Sequence, residues 1–407
     1  MNEALHLCWY LLILIQVILA LFLIHPFILL LIFFARRGLG IRPRNVLAAP
    51  IHKNYHFGII VTAHQETIFI PPIVDSLLKQ KYPHFDVYVV ADDCDISNLH
   101  FNDPRVHLLR PPQPFNTNSK SIAYAVDHFR ENNEVLVIFD PDNLVHPNFL
   151  EIMNAYYNGG YSAVQGNLQS KNTAGKYAKM DTIGNLFNSF LDCDIRSEFG
   201  LSVKIWGCGV STKTEVYRKI RYDKKSQMGG FDKKMQVEIA KNVSTIAYAP
   251  AAVFYDEKIT DAGNFEKQRI RWINAYFKFF GESFDLFLTG IRRFNPGLAY
   301  FGYNIIRPPY FLLALAASFF IALDFFIDKK LMTGWIIVCC LFALSFLLIV
   351  MFKAANKKII NAVIYMPLFL FHQVKSLLKI NMNKKSILKT NHTAVFYIDD
   401  ILKNESS

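Results

Sequence analysis

Two aspartates one residue apart close an apolar run, Val135-Leu-Val-Ile-Phe-Asp140-Pro-Asp142-Asn143. A continuous run of this kind predicts a strand buried on both faces of a parallel sheet. In open α/β sheets the ligand site lies outside the carboxyl ends of such strands. Asp-x-Asp spacing at a strand end lets Asp140 and Asp142 address one point, which suits a hard divalent cation such as Mg2+ or Mn2+. A cation held there would most usefully bridge a diphosphate. Asp-Pro-Asp-Asn is also good turn chemistry, so the motif alone leaves a plain turn open. A second acidic cluster, Asp92-Asp93-Cys94-Asp95, ends another apolar run at residues 86–91. Two such clusters on one sheet edge are harder to explain as turns than one.

Positioning these carboxylates requires a sheet. Phe57-Gly-Ile-Ile-Val61 reads as a first strand, and residues 68–80 as a helix with Pro71-Pro72 in its first turn. Residues 86–91 make a second strand and 121–130 a helix; the Asp-x-Asp strand and a helix over 147–157 follow. Strands alternating with helices predict an α/β fold, a parallel sheet with right-handed crossovers. Residues 38–295 hold enough chain for one such domain.

The flanks are different in kind. The chain has 407 residues, 52% of them hydrophobic, too long for one ordinary core and apolar for a soluble protein. Residues 11–35 are almost wholly apolar, interrupted by Gln16 and His25-Pro26, and long enough to span a bilayer once. They exceed a signal-peptide core and lack a small-residue cleavage site, so residues 1–37 read as a retained anchor. Residues 309–326 and 332–352 are two further spans within a C-terminal region 296–407. Residues 359–371 carry Asn361 and Pro367 and read as interfacial or re-entrant, with a fourth span as the alternative.

Charge orients these segments. No Lys or Arg precedes the first span, whereas Arg36, Arg37, Arg42 and Arg44 follow it. Lys353, Lys357 and Lys358 follow the third span, and Lys384, Lys385 and Lys389 lie in the tail. The expectation is a multi-pass protein of the cell (inner) membrane with its N-terminus outside and its middle domain and tail in the cytosol. The net charge of +11 also suits anionic lipids and an anionic substrate. Nucleic acid is not an expected partner, because no basic patch interleaved with aromatics stands out in the middle segment. The six cysteines include no Cys-x-x-Cys pair or metal-ligand spacing, so reduced thiols are expected. The sequons at Asn242, Asn391 and Asn404 are read as chance matches.

From Phe57 to about Gly290 the chain resembles the membrane-integrated family 2 glycosyltransferases, the group of cellulose, hyaluronan and poly-N-acetylglucosamine synthases. Thr62-Ala-His-Gln-Glu66 is similar to the family's opening turn, and Val89-Val-Ala-Asp92-Asp93 to its uridine-binding strand. Phe139-Asp140-Pro-Asp142-Asn143 followed by Pro147-Asn-Phe-Leu150 is similar to its metal motif, and Gln268-Arg-Ile-Arg271-Trp272 to its Gln-x-x-Arg-Trp signature. The order and spacing together are specific. The resemblance implies a GT-A domain of the nucleotide-diphospho-sugar transferase type, flanked by transmembrane helices.

It also implies roles. Asp92 would accept the uracil imide hydrogen of a UDP-sugar, and Glu66 would help hold the base; Glu66 as a helix cap is the alternative. Asp140 would face the ribose or the metal, and Asp142 the metal. Lys120 stands where the family has a lysine near the nucleotide, or is simply exposed at a helix start. Gln268 and Arg271 would hold the donor, Arg271 by bidentate pairing with the diphosphate. Trp272 would offer a flat face to the acceptor, or sit at the membrane interface. Gly207-Cys208-Gly209 resembles a segment near the acceptor, and the stretch from Gln165 to Lys171 and Asn172 could line the donor pocket. Asp232 in Gly229-Gly-Phe231-Asp232 aligns with the catalytic base; its alternative is a plain N-cap. Phe231 departs from the family, which usually has Glu there.

The function expected is inverting transfer from a UDP-sugar to a membrane-associated glycan or lipid, in polysaccharide synthesis. Three spans are few for a polymer channel, so a homo-oligomer or an export partner would complete it. A single-sugar lipid transferase and a catalytically silent scaffold subunit are the alternatives.

Overall fold

The structure is a computed structural model describing residues 3–43, 46–48, 50–130, 132–223, 229–354, 357–380 and 395–406. Arg44, the tail lysines 384, 385 and 389 and the Asn391 sequon lie outside the described residues. One mixed sheet organises the middle of the chain. Its strands are β1 (Phe57–His64), β2 (Phe85–Asp92), β3 (Val106–Leu109), β4 (Val135–Phe139), β5 (Leu144–Val145), β6 (Ala163–Ser170), β7 (Val210–Lys213) and β8 (Ala247–Asp256). Their order is β3-β2-β1-β4-β7-β6-β8-β5.

The apolar runs alternate between two cores, as the pleat requires. Ile59, Val61, Val87, Val89, Val137 and Phe139 enter one core. Ile60, Tyr88, Val90, Leu136 and Ile138 enter the other. Helices cover these faces at Ile70–Leu78, Asn118–Asp127 and Phe149–Asn158, each within a few residues of its expected place.

The sheet is mixed, not parallel throughout as the alternation of strands and helices predicts. β1 to β4 pair in parallel, but β7 runs antiparallel to both β4 and β6, and β5 antiparallel to β8. The connection from β6 to β7 passes through the helix Gly175–Ser189 and a π-helical turn Phe190–Asp194. It starts and finishes at the same edge of the sheet, so the chain returns reversed. That reversal delivers Gly207-Cys208-Gly209 to the end of β4, where the Gly209 amide donates to the Ile138 carbonyl at 2.8 Å.

Among the described residues, three helices are long and apolar enough to cross a membrane: His6–Gly38, Tyr310–Ile327 and Lys329–Lys353. The segment read as interfacial is broken into Lys357–Asn361, a 3-10 turn Ala362–Tyr365 and a helix Met366–Leu378. A polar tie joins all three long helices. Gln16 Nε2 donates to Asp324 Oδ1 at 3.3 Å, and Trp335 Nε1 donates to Gln16 Oε1 at 2.7 Å. All three side chains are buried.

Candidate active site

The carboxyl ends of β1, β2 and β4 border a single cavity of about 1400 Å3. Glu66, Asp92, Asp140 and Asp142 line it from the sheet edge. Gly207, Cys208 and Asp232 line it from the loop before β7 and the helix Phe231–Asn242. Gln268, Arg271 and Trp272 line it from the helix Ala262–Arg292. Residues from the two long C-terminal helices complete the wall.

Asp92 is buried at the tip of β2. It accepts the Phe115 amide at 2.7 Å on Oδ1 and the Asn116 amide at 2.8 Å on Oδ2, where His64 Nδ1 also lies at 3.1 Å. The carboxylate therefore holds the loop before the next helix, and lone pairs remain for a ligand donor. Gln65, Asp93 and Asn116 all adopt left-handed backbone (φ 61, 54 and 56°) around it. Non-glycine residues held this way gather at ligand sites, because surrounding contacts must maintain them. Phe69 stands at the N-cap of the helix that follows Glu66 and makes no side-chain cap bond.

The Asp140-Pro-Asp142 turn is locked from below. Asn143 Oδ1 accepts the Asp140 amide at 3.1 Å, and Asn143 Nδ2 donates to Asp256 Oδ1 at 3.4 Å. Buried Lys171 donates to the Asp142 carbonyl, and burial pulls its ammonium below the ordinary lysine value. Lys171 thus braces the turn from outside the cavity lining. No group of three His, Cys, Asp or Glu side chains among the described residues could cage a metal ion. Two carboxylates at a strand end fit instead a cation that takes its remaining oxygens from substrate phosphates and water.

Asp232 is the second residue of its helix. Gly230 (φ 79°) occupies the N-cap, without a side-chain cap bond, so Asp232 is not the cap. Lys233 Nζ stands 3.7 Å from Asp232 Oδ2. Gly207 (φ 94°) lies so close that an added Cβ would come within 3.1 Å of Asp232 Cβ. The glycine admits the carboxylate to the cavity. Phe231 lines the cavity too. The Cys208 thiol is pushed well above its ordinary value by burial, which makes it a poor nucleophile.

Two expected contributors fall elsewhere. Lys120 is exposed on the first turn of its helix and outside the cavity lining; Thr117 caps that turn by accepting the Lys120 amide at 3.4 Å. Gly209 is also outside the lining, and a Cβ there would lie 2.0 Å from the Phe254 ring. The glycine leaves room for that ring.

Four charged residues were not singled out from the sequence. Arg269, buried beside Gln268, is ion-paired with Asp181 and stacks its guanidinium over Trp272 at 4.2 Å. Lys258 Nζ bridges Asp256 at 3.1 Å and Asp181 at 4.0 Å. Burial works against the Lys258 charge, but Asp256 and Asp181 outweigh it and hold the ammonium above its usual value. The network runs from Asn143 through Asp256, Lys258 and Asp181 to Arg269, and so fixes Trp272 relative to the Asp-x-Asp turn. Arg269 had one signal in the sequence, its four-residue spacing from Phe265 and Ile273 on the buried helix face.

The structure is similar to the mannosyltransferase PcManGT from Pyrobaculum calidifontis, solved in complex with GDP-Man and Mn2+. The TM-score is 0.54 at 16% identity, covering 90% of this chain and 99% of that one. S. aureus TarS is a more distant match, with a TM-score of 0.40 at 12% identity over 62% of this chain and 54% of that one. No curated protein matches by sequence. Residues 54–275 match the family described as "Glycosyltransferase like family 2", a segment that is more than half of the chain and contains Glu66, Trp272 and every cavity carboxylate between them. The chain belongs to that glycosyltransferase family.

Proposed function

We propose that the protein is an inverting hexosyltransferase that moves a sugar from a nucleoside-diphosphate sugar, UDP-linked by its sequence motifs, to an acceptor held at the membrane. The observation that carries this reading is the single cavity joining the carboxylates of the sheet edge to Asp232, Arg271 and Trp272, and walled by membrane-type helices. Asp92 and Glu66 receive the base, and Arg271 with Gln268 faces the diphosphate. Asp140 and Asp142 would hold Mg2+ or Mn2+, which when bound neutralises the leaving diphosphate as a Lewis acid. The neighbour solved with Mn2+ supports that choice of ion. Asp232 takes the proton from the attacking acceptor hydroxyl. Trp272, braced by Arg269, presents its exposed face to the acceptor.

The purified full-length chain, incubated with a panel of radiolabelled UDP- and GDP-sugars and Mn2+, is expected to label a membrane-extractable product from one donor. Product size on a gel separates a polysaccharide from a single-sugar lipid. Silence with every donor would support a scaffold subunit instead, the reading that Phe231 favours.

The spans support a topology as well. A reporter fused to the C-terminus is expected to be active only on the cytosolic side, with the α/β domain and the basic tail on that side. Activity only outside the cell would show a fourth crossing near residues 359–371.

A further inference from the structure

A second charged cluster lines the same cavity where the α/β domain meets the long helices. At its centre is Asp192, in the π-helical turn whose Phe190 packs on Phe33 of the first helix. Three cations surround this one carboxylate. Arg196 Nη2 donates to Oδ1 at 2.6 Å, Lys204 Nζ to Oδ2 at 3.3 Å, and Arg307 Nη2 lies 3.5 Å from Oδ1. Asp192, Arg196 and Arg307 are almost fully buried, and Lys204 is partly exposed. The nearby acids are otherwise engaged, Asp194 with Lys353 at 3.1 Å and Glu198 with Arg37. Among the described residues, two positive charges are left in excess.

Buried cations without counterions are unfavourable. Among the described residues, the Nε atoms of Arg196 and Arg307 and the hydroxyl of Tyr310 are also buried without a hydrogen-bond partner. Burial brings the Lys204 ammonium down to about 8, helped by Lys233, Arg307 and Arg196 against the pull of Asp192. Together these features fit the binding of an anion. The excess of two charges matches a phosphate monoester, and the paired guanidinium groups match its oxygens. Beyond the cluster, the cavity wall becomes apolar, with Phe311 and Ala314 on one long helix and Phe342 and Phe346 on the next.

We propose that Arg196, Lys204 and Arg307 bind the phosphate of an amphiphile whose hydrocarbon chain lies against Phe311, Ala314, Phe342 and Phe346. Only its identification as the membrane-held acceptor rests on the proposed glycosyl transfer; the binding site itself does not.

The test uses the full-length protein in detergent and reads the fluorescence of Trp206 and Trp272, which line the cavity. The probes are a polyisoprenyl monophosphate, the polyisoprenol of the same length and inorganic phosphate. The monophosphate is expected to bind at least about tenfold tighter than the alcohol, the scale of charge-assisted hydrogen bonds. Lys204→Gln and Arg307→Gln are each expected to remove most of that preference and leave affinity for the alcohol and for UDP unchanged. If Arg307→Gln does not fold, partly exposed Lys204 carries the test alone. Equal binding of alcohol and monophosphate, or a preference that survives Lys204→Gln, would overturn the proposal. So would inorganic phosphate competing as strongly as the lipid, which marks a free-anion site, or loss of UDP binding in the variants, which marks a donor site. Failure of sugar transfer alone would count against the proposed function and leave this site standing.

Discussion

Asp232→Asn is expected to lower turnover at least about a hundredfold, the usual scale of lost general-base catalysis, while donor affinity stays nearly unchanged. The amide has almost the shape of the carboxylate, so contact with Gly207 and the start of the helix should survive. Capping cannot explain a loss, because Gly230 rather than Asp232 occupies the cap. UDP release and UDP-sugar affinity, measured together, separate chemistry from binding. Phe231→Glu restores the family's acid beside Asp232 and is the companion variant. If the Phe231 ring has replaced a needed partner, turnover rises in Phe231→Glu. Wild-type turnover in Asp232→Asn would remove this carboxylate from the mechanism. Attention would then pass to Glu238, which pairs with Lys234 at 3.4 Å on the same helix.

The second large effect is expected at the Asp-x-Asp turn. Asp142→Ala should abolish transfer and weaken Mn2+ binding, read directly by electron paramagnetic resonance of the protein with UDP and Mn2+. The turn itself should persist, because Asn143 and Lys171 hold it through the Asp140 amide and the Asp142 carbonyl, neither of which the substitution removes. Wild-type chain in excess chelator should be silent and recover on adding Mn2+. Undiminished transfer in chelator, or unchanged Mn2+ binding in Asp142→Ala, would break the link between this turn and a cation.

What could be read from the sequence and what could not divide along physical lines. β4 was legible to the residue, since burial on both faces demands an unbroken apolar run that only a short strand explains. The acidic ends of β2 and β4 were legible for the same reason. β7 was not, because its four residues Val-Ser-Thr-Lys carry no clear pattern and their direction is set by a distant connection. The Asp192 cluster was also hidden. Its members lie at positions 192, 196, 204 and 307, and nothing local in Arg307 announces that it will meet Asp192. Lys120 stands where the family has a lysine near the nucleotide, but a helix start says nothing about which way its first turn faces.

The tie between Gln16, Asp324 and Trp335 constrains how the chain is made. Gln16 precedes its partners by 308 and 319 residues. At bacterial or eukaryotic synthesis rates of about 5–20 residues per second, the first helix waits roughly 15–60 seconds for them. During that interval an amide sits in a long apolar helix with nothing of its own chain to bond, and the α/β domain emerges between the two halves of its own anchor. On the proposed membrane topology, Gln16 would need shelter, in the insertion machinery or against a neighbouring helix, until the last two long helices arrive and close the bundle.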